Sequence, residues 1–171
     1  MQKFILSDIE KCTGCGRCTL ACSALKEGVF LPTRSRIHFA NFARHGLSVP
    51  NICFHCEEPA CAEACPVDAI SRNEIGAVVV DRDACTGCGQ CVEACPYGMV
   101  WLDDEDLAYK CDLCGGDPEC VKVCQPNAII YAEPDKRSLK ERQLQMSKKI
   151  SSGEPEEKRR AMAEIFKKRY R

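Results

Sequence analysis

The chain has 171 residues, is 45% hydrophobic but only 6% aromatic, contains 16 cysteines and carries a formal net charge of −1. This length allows one domain or two very small ones, and the scarcity of aromatic residues excludes an ordinary large apolar core. No apolar run approaches the roughly 20 residues that a membrane-spanning helix needs, so no membrane span is predicted.

The N-terminal segment leads into the first of four cysteine groups. Residues 1–8 have no long apolar stretch, no small-residue cleavage site and no twin arginine, so we expect no export signal and a cytoplasmic location. Residues 4–6 predict a short strand. The group follows the pattern C-x2-C-x2-C-x3-C, with ligand candidates at Cys12, Cys15, Cys18 and Cys22. This pattern is the bacterial ferredoxin run, whose fourth cysteine ligates the other cluster of a pair.

Residues 28–50 separate the first group from the second and contain no acidic residue, but three arginines, two histidines and three phenylalanines. One interpretation is a loop or short hairpin that covers the metal centres. The other is a protein-docking surface, because arginine and aromatic residues are enriched at interfaces. Within this segment, residues 47–49 weakly predict a strand.

The second and third groups flank a predicted hairpin. The second has the pattern C-x2-C-x4-C-x3-C and the third repeats the spacing of the first, which gives the candidates Cys53, Cys56, Cys61, Cys65, Cys85, Cys88, Cys91 and Cys95. Residues 69–70 and 77–80 predict strands joined by a turn at residues 73–76, and residues 99–102 predict a strand after the third group. His55 lies inside the second group. Because that group already has four thiols, we expect His55 to make a supporting hydrogen bond or a packing contact rather than to be a fifth ligand.

Four glycines lie between ligand candidates at matched places in the first and third groups: Gly14, Gly16, Gly87 and Gly89. Glycine allows the backbone to pass close to a cluster with its N–H groups directed at sulfur. Three aromatic residues between the third group and the fourth are interpreted as cover that keeps water away from the metal centres, rather than as electron relays: Tyr97, Trp101 and Tyr109.

The fourth group has the pattern C-x2-C-x5-C-x3-C, at Cys111, Cys114, Cys120 and Cys124, and residues 128–131 predict a strand after it. Four groups supply sixteen thiolates, the number that four [4Fe-4S] clusters need. A disulfide scaffold fits a reducing compartment poorly. Zinc is an alternative mainly for the less regular fourth group, because a tetrahedral four-thiolate site has no use for the third cysteine of a ferredoxin run.

Residues 135–171 form a basic tail on an acidic body. Residues 1–134 hold 11 basic and 19 acidic side chains, whereas residues 135–171 hold 13 basic and 6 acidic ones. One helix is predicted through Leu139, Met146 and Ile150, and a second after the break at residues 151–155, with Pro155 in its first turn. Helices this short need a supporting surface. Three interpretations are open: self-assembly through residues 135–171, docking on a catalytic partner, or a tail that is solvated or packed on the chain's own body. An acidic protein surface is a better partner for the tail than nucleic acid, so no nucleic-acid partner is expected.

Residues 1–133 resemble the four-cluster iron–sulfur subunits of the DMSO reductase type, through residues 11–22, 53–70 and 109–114. The resemblance implies an α+β fold of two ferredoxin-like modules with short strands and cluster-binding loops. One module, at about residues 48–103, would be inserted in the other within a body of residues 1–134, and residues 135–171 would follow as a helical tail. The short spacing between Cys114 and Cys120 is similar to that of the small cytoplasmic members.

The resemblance also implies how the ligands pair. In that family the groups interleave, so the clusters would be held by four sets: Cys12, Cys15, Cys18 and Cys124; Cys22, Cys111, Cys114 and Cys120; Cys53, Cys56, Cys61 and Cys95; and Cys65, Cys85, Cys88 and Cys91.

The function that follows is electron transfer by a non-catalytic subunit carrying four [4Fe-4S] clusters. The expected partner is a catalytic redox subunit, with a tungsten or molybdenum enzyme such as an aldehyde oxidoreductase favoured. A carbon monoxide dehydrogenase, a hydrogenase or formate hydrogenlyase is the alternative. A free polyferredoxin serving several enzymes and an iron–sulfur structural protein without a redox role also stay open.

Overall fold

The computed structural model of the chain describes residues 3–42, 46–133 and 154–169. Eight short strands alternate with small helices, and their bounds are β1 Phe4–Ser7, β2 His38–Phe42, β3 Leu47–Asn51, β4 Ile70–Arg72, β5 Val78–Val80, β6 Trp101–Leu102, β7 Ala108–Tyr109 and β8 Ile129–Ala132. The α-helices are α1 Arg17–Glu27, α2 Ala60–Glu63, α3 Gln90–Ala94, α4 Glu119–Lys122 and α5 Pro155–Arg169. Two 3-10 helices lie at Pro32–Arg34 and Leu113–Gly116.

The strands pair as four antiparallel two-stranded sheets: β1 with β8, β2 with β3, β4 with β5, and β6 with β7. The strands predicted around residues 4–6, 47–49, 69–70, 77–80, 99–102 and 128–131 are confirmed as β1, β3, β4, β5, β6 and β8. The turn at residues 73–76 is confirmed as well, because the Gly76 N–H donates to the Asn73 carbonyl at 2.9 Å. The strands β2 and β7 were not predicted. Strand β2 begins at His38 and pairs with β3, which agrees with the hairpin that was one interpretation of that segment.

The pairing of β1 with β8 joins the two ends of the body. Phe4 lies opposite Ala132 and Ser7 lies opposite Ile129. Helices α1 and α4, which follow and precede these strands, also pack on each other. The first and fourth cysteine groups, far apart in sequence, therefore lie side by side.

Two apolar clusters fill the interior, and buried cysteine thiols belong to both. One cluster contains Val78, Met99 and Val100 together with thiols of the second and third groups. The other contains Ile37, Leu113 and Ile129 together with thiols of the first and fourth groups. With so few aromatic side chains, the thiol sites themselves occupy much of the core. In the part of the chain that is described, no helix has the length and the apolar character needed to cross a membrane.

Helix α5 packs on the chain's own body, as the third interpretation of the tail expects. Pro155 is its first residue, as predicted. The Lys158 ammonium donates to the Glu93 carbonyl at 2.6 Å, and the Arg159 guanidinium donates to the Gly98 carbonyl at 2.9 Å. Ala163 is fully buried in the core. The charge of the tail predicted an acidic partner surface, but Lys158 and Arg159 bind backbone carbonyls. A count of charged side chains does not include these uncharged acceptors. The helix predicted through Leu139, Met146 and Ile150 lies outside the described residues, and self-assembly through residues 135–171 stays a prediction.

Candidate metal centres

All sixteen cysteines lie within the described residues, and each is a free thiol. Two pockets are lined by four thiols each. Cys85, Cys88 and Cys91 of the third group share one pocket with Cys65 of the second. The other pocket is lined by Cys53, Cys56, Cys61 and Cys95. Each pocket thus combines three thiols of one group with the last thiol of its neighbour.

The remaining thiols show the same arrangement through their electrostatic neighbours. Burial, together with like charge from Cys12, Cys124 and Cys15, raises the pKa of Cys18 to about 12. Burial also raises the pKa of Cys120, with added contributions from the other thiols of a second set: Cys111, Cys22 and Cys114. The last cysteine of the first group therefore faces the fourth group, and the last cysteine of the fourth group faces the first.

We name these the first thiol set (Cys12, Cys15, Cys18, Cys124), the second thiol set (Cys22, Cys111, Cys114, Cys120), the third thiol set (Cys53, Cys56, Cys61, Cys95) and the fourth thiol set (Cys65, Cys85, Cys88, Cys91). Among the described residues, no group of three or more His, Cys, Asp or Glu side chains converges as ligands of a single metal ion would. A cuboidal cluster binds one thiolate at each iron, so its four ligands surround a cavity instead of meeting at one point.

The residue before the second cysteine of every group adopts a left-handed backbone conformation. These residues are Gly14 (φ 68°), His55 (φ 49°), Gly87 (φ 71°) and Leu113 (φ 57°). Such a conformation turns the backbone N–H toward the sulfur of the preceding cysteine. The His55 N–H donates to Cys53 Sγ at 3.5 Å. Backbone N–H groups of Gly14 and Leu113 likewise lower the pKa of Cys12 and Cys111, although burial raises both more strongly.

Glycine is required at two of these positions for space as well as for conformation. A Cβ at Gly14 would lie 3.0 Å from the Ser48 Cβ, and one at Gly87 would lie 2.7 Å from the Asp106 carbonyl oxygen. His55 and Leu113 adopt the same conformation with a side chain, at a cost of about 1–2 kcal/mol each. The expectation that Gly14 directs its N–H at sulfur is confirmed.

The last cysteine of three groups accepts a hydrogen bond from a backbone N–H further along the chain. Cys65 Sγ accepts from Ala69 and Cys95 Sγ from Met99, both at 3.3 Å, and Cys22 Sγ accepts from Arg36 at 3.4 Å. Donors aimed at sulfur stabilise thiolate and cluster sulfur. The turns after the second and third groups therefore also supply donors to the site.

Burial opposes ionisation of these thiols when no cation is present. It raises the pKa of Cys61 to about 12, even though the nearby Lys110 lowers it. Because the thiolate is the form that binds metal, iron must supply the positive charge that displaces these protons. The donor set, the N–H groups aimed at sulfur and the apolar lining all fit [4Fe-4S] clusters.

His55 has the supporting role that its position in the second group indicates. It is buried, and its Nδ1 accepts a hydrogen bond of 2.9 Å from the Val78 N–H. This bond ties the loop of the second group to strand β5.

The aromatic residues act as cover. Tyr97 is buried, lines the pocket of the third thiol set and contacts the Phe54 ring edge-on at 4.9 Å between centroids. Trp101 stacks on His38 and on Tyr109, with centroid distances of 4.4 and 5.8 Å. The interpretation of these residues as a water-excluding layer is consistent with these contacts.

Sequence reasoning missed Lys110, which is 6% exposed. Its ammonium donates to the Val78 carbonyl and lies 3.5 Å from the Cys111 carbonyl oxygen. Burial lowers the pKa of Lys110, but the thiols of Cys53, Cys61 and Cys111 raise it above its usual value. Its place directly before the fourth group was visible in the sequence. Nothing local predicts that this lysine points inward, because lysine is almost never fully buried.

Exposure differs among the four thiol sets. Cys15 of the first thiol set and Cys88 of the fourth are exposed. In the second and third sets no thiol is exposed, and Cys111 of the second lies close enough to Cys53 of the third for their charges to interact. The second and third sets are therefore neighbours in the interior.

Comparisons with known proteins agree with this site. The sequence matches the family model of the 4Fe-4S dicluster domain over residues 45–134 and that of a 4Fe-4S binding domain over residues 9–25. It is 42% identical over 124 residues to the polyferredoxin-like subunit of aliphatic sulfonate oxidoreductase from Pyrococcus furiosus, covering 71% of this chain and 70% of the relative. It is 35% identical over 152 residues to the thiosulfate reductase electron transfer subunit PhsB of Salmonella typhi, covering 81% and 79%. A chain in the solved active site complex BamBC of benzoyl coenzyme A reductase is 30% identical, with a TM-score of 0.45 and coverage of 84% and 87%.

Proposed function

The chain belongs to the 4Fe-4S dicluster family, among the electron-transfer subunits of the DMSO reductase iron–sulfur type, and we propose on this basis that it relays single electrons for a tungsten or molybdenum oxidoreductase. When bound, each [4Fe-4S] cluster supplies a one-electron couple. The residues of this chain hold the clusters, donate hydrogen bonds to sulfur and exclude water.

The proposed ligands are the first, second, third and fourth thiol sets. The observation that carries this assignment is the interleaving: each set takes three thiols from one group and the last thiol from another. It is supported by the two pockets of the third and fourth sets and by the electrostatic neighbours of Cys18 and Cys120. Four complete sets correspond to four clusters per chain.

This assignment extends to the organisation of the body. We propose that the first and second sets belong to one ferredoxin-like module, and that the third and fourth sets belong to a second module inserted at about residues 48–103. The pairing of β1 with β8 supports the proposal, because it brings together the chain segments on either side of the insertion. The division of the interior into two apolar clusters supports it as well.

The exposed thiols suggest where electrons enter and leave. Cys15 of the first set and Cys88 of the fourth set are exposed, whereas the second and third sets are neighbours that contain no exposed thiol. An order from the first to the fourth set places buried sites in the middle and accessible ones at both ends. The direction of electron flow along this order depends on the partners.

The catalytic partner needs a docking surface, and an exposed apolar patch lies at the end of helix α1 and just after it. Leu25, Val29, Phe30 and Leu31 are exposed by 54%, 45%, 77% and 44%. Apolar residues exposed side by side are typical of a protein-docking surface. The relatives named above are subunits of larger oxidoreductases, so we propose that a catalytic redox subunit covers this patch. Residues 28–31 would then be the docking part of the segment that precedes the second group, and strands β2 and β3 its covering part.

A pair of neighbouring cysteines tests the ligand assignment. Cys61 and Cys65 lie in the same group, but they belong to different thiol sets. We expect Cys65→Ala to alter the EPR signal of the cluster held mainly by Cys85, Cys88 and Cys91, and Cys61→Ala to alter that of the third set. Damage to the same cluster in both variants would refute the interleaving.

Co-purification tests the partner. A subunit of a complex is isolated with a stoichiometric catalytic protein, and metal analysis of that protein then identifies tungsten or molybdenum. Isolation of the chain alone, with reversible reduction by several enzymes, would instead indicate a free polyferredoxin.

A further inference from the structure

A buried cation lies between the second and third thiol sets. Lys110 ends the short link between strand β7 and the fourth cysteine group, and only 6% of it is exposed. Its ammonium donates to the Val78 carbonyl, next to the pocket of the third set. It also lies 3.5 Å from the carbonyl oxygen of Cys111, a member of the second set. One side chain thus contacts the backbone at both sites.

The negative charge that Lys110 faces comes from cysteines. Cys53, Cys61 and Cys111 are its electrostatic partners, and Cys53 also accepts a hydrogen bond from it. Among the described residues, the ion pairs formed by lysine with aspartate or glutamate involve Lys11, Lys26 and Lys122, and none involves Lys110. An uncompensated buried charge costs several kcal/mol. A lysine in this place is therefore stabilised by whatever negative charge the thiol sets carry.

Bound clusters supply that negative charge. Four thiolates outweigh the positive charge of an iron–sulfur core, so a ligated cluster is anionic, and reduction makes it more so. A cation fixed beside it in a low-dielectric interior favours the reduced form. The effect depends on distance and on the number of contacts, and Lys110 faces two thiols of the third set but one of the second.

We propose that Lys110 is an electrostatic tuning residue shared by the two central clusters, which raises the reduction potentials of both and more strongly that of the third set. This inference rests on the proposed ligand assignment. The effect of Lys110 is confined to electron transfer between the clusters of the second and third thiol sets. Removing the charge should make the interior clusters harder to reduce while the two end clusters keep their potentials.

The test is an EPR-monitored redox titration of the holoprotein and its Lys110→Met and Lys110→Arg variants. In Lys110→Met, the ratio of reduced to oxidised third-set cluster at the wild-type midpoint should fall about tenfold, which corresponds to a shift of about 59 mV for a one-electron couple. The second-set cluster should shift less in the same direction. Lys110→Arg retains the charge and should keep both potentials close to their wild-type values.

A second buried lysine provides the control. Lys158 is 4% exposed and also donates to a backbone carbonyl, that of Glu93. Lys158→Met should leave the two central potentials unchanged. Equal shifts in all four clusters, or unchanged potentials in Lys110→Met with its iron content intact, would overturn the role of Lys110 while leaving the four-cluster function in place.

A measurement on the wild-type protein covers the case in which Lys110→Met loses clusters. With lysine labelled by ¹⁵N, the reduced third-set cluster should show a nitrogen hyperfine coupling that is absent from labelled Lys110→Arg protein. If no such coupling is found in the wild type, the ammonium does not contact this site and the proposal is wrong. An iron content far below four clusters would instead count against the proposed function itself.

Discussion

Gly98 determines how closely helix α5 approaches the body, and replacing it with alanine tests the packing of the tail. Gly98 has a left-handed φ of 61°, and a Cβ there would lie 2.9 Å from both the carbonyl carbon and the Cα of Pro155, the first residue of α5. Carbon atoms pack at about 3.5–4.0 Å, so the helix start must move away by on the order of 1 Å. The Gly98 carbonyl is also the acceptor for Arg159.

The expected loss of stability has two parts. A left-handed alanine costs about 1–2 kcal/mol whatever surrounds it. Moving α5 also weakens the hydrogen bonds from Lys158 and Arg159, and such bonds from charged groups contribute about 1.5–3 kcal/mol each. Loss of one of the two bonds brings the expected total to about 2.5–5 kcal/mol.

Gly28→Ala is the matched control. Gly28 has a similar φ of 71°, but no atom lies within 4 Å of the position of its Cβ. The free energy of unfolding of Gly28→Ala should therefore decrease by only about 1–2 kcal/mol. The assay combines anaerobic thermal unfolding with native-state hydrogen exchange. In Gly98→Ala, the amides of α5 should exchange at least tenfold faster, because a short helix without its supporting surface is marginal. If Gly98→Ala and Gly28→Ala behave alike in both measurements, the docked position of α5 is wrong.

Three further outcomes are expected. Anaerobically purified protein should contain about sixteen iron and sixteen acid-labile sulfide per chain, and stoichiometric zinc in its place would contradict the ligand assignment. Burial and the nearby Arg159 hold the pKa of His38 at about 4, below about 6.5 in the unfolded chain. The unfolded chain therefore binds a proton at His38 as pH falls below about 6.5, whereas the folded chain does not. Between pH 7 and pH 5 the free energy of unfolding of the wild type should fall by about 2 kcal/mol more than that of His38→Gln. Equal decreases in urea unfolding would refute this. Phe30→Asp should keep its iron content and weaken binding of the catalytic partner at least tenfold, whereas Ile130→Asp, at another exposed apolar residue, should not; unchanged partner binding in a pull-down would exclude the patch.

The strands that sequence reasoning found are those whose own residues favour extended backbone. The β-branched run that ends in Val80 and the apolar residues of β8 are examples. Strand β2 was missed because residues 38–42 alternate poorly, and their extended form depends on pairing with β3. Strand β7 has only two residues, too few for a pattern to show.

The cysteine spacing by itself determined the chemistry of this protein. Three thiols within seven to ten residues can surround one metal centre because the connecting chain is short, so the identity of the ligands is a local property. The family's interleaved pairing could be stated in advance from resemblance. The nearness of Cys18 to Cys124, in contrast, depends on β1 pairing with β8 across the whole body.

Only the tertiary structure decided the place of Lys110 and the surface that α5 covers. Lysine normally keeps its charge in water, and no neighbour in sequence indicates that Lys110 lies between two thiol sets. The charge of the tail pointed to acidic side chains, yet Lys158 and Arg159 bind backbone carbonyls at Glu93 and Gly98. Every residue carries such a carbonyl, and the fold alone determines which ones are left free to accept.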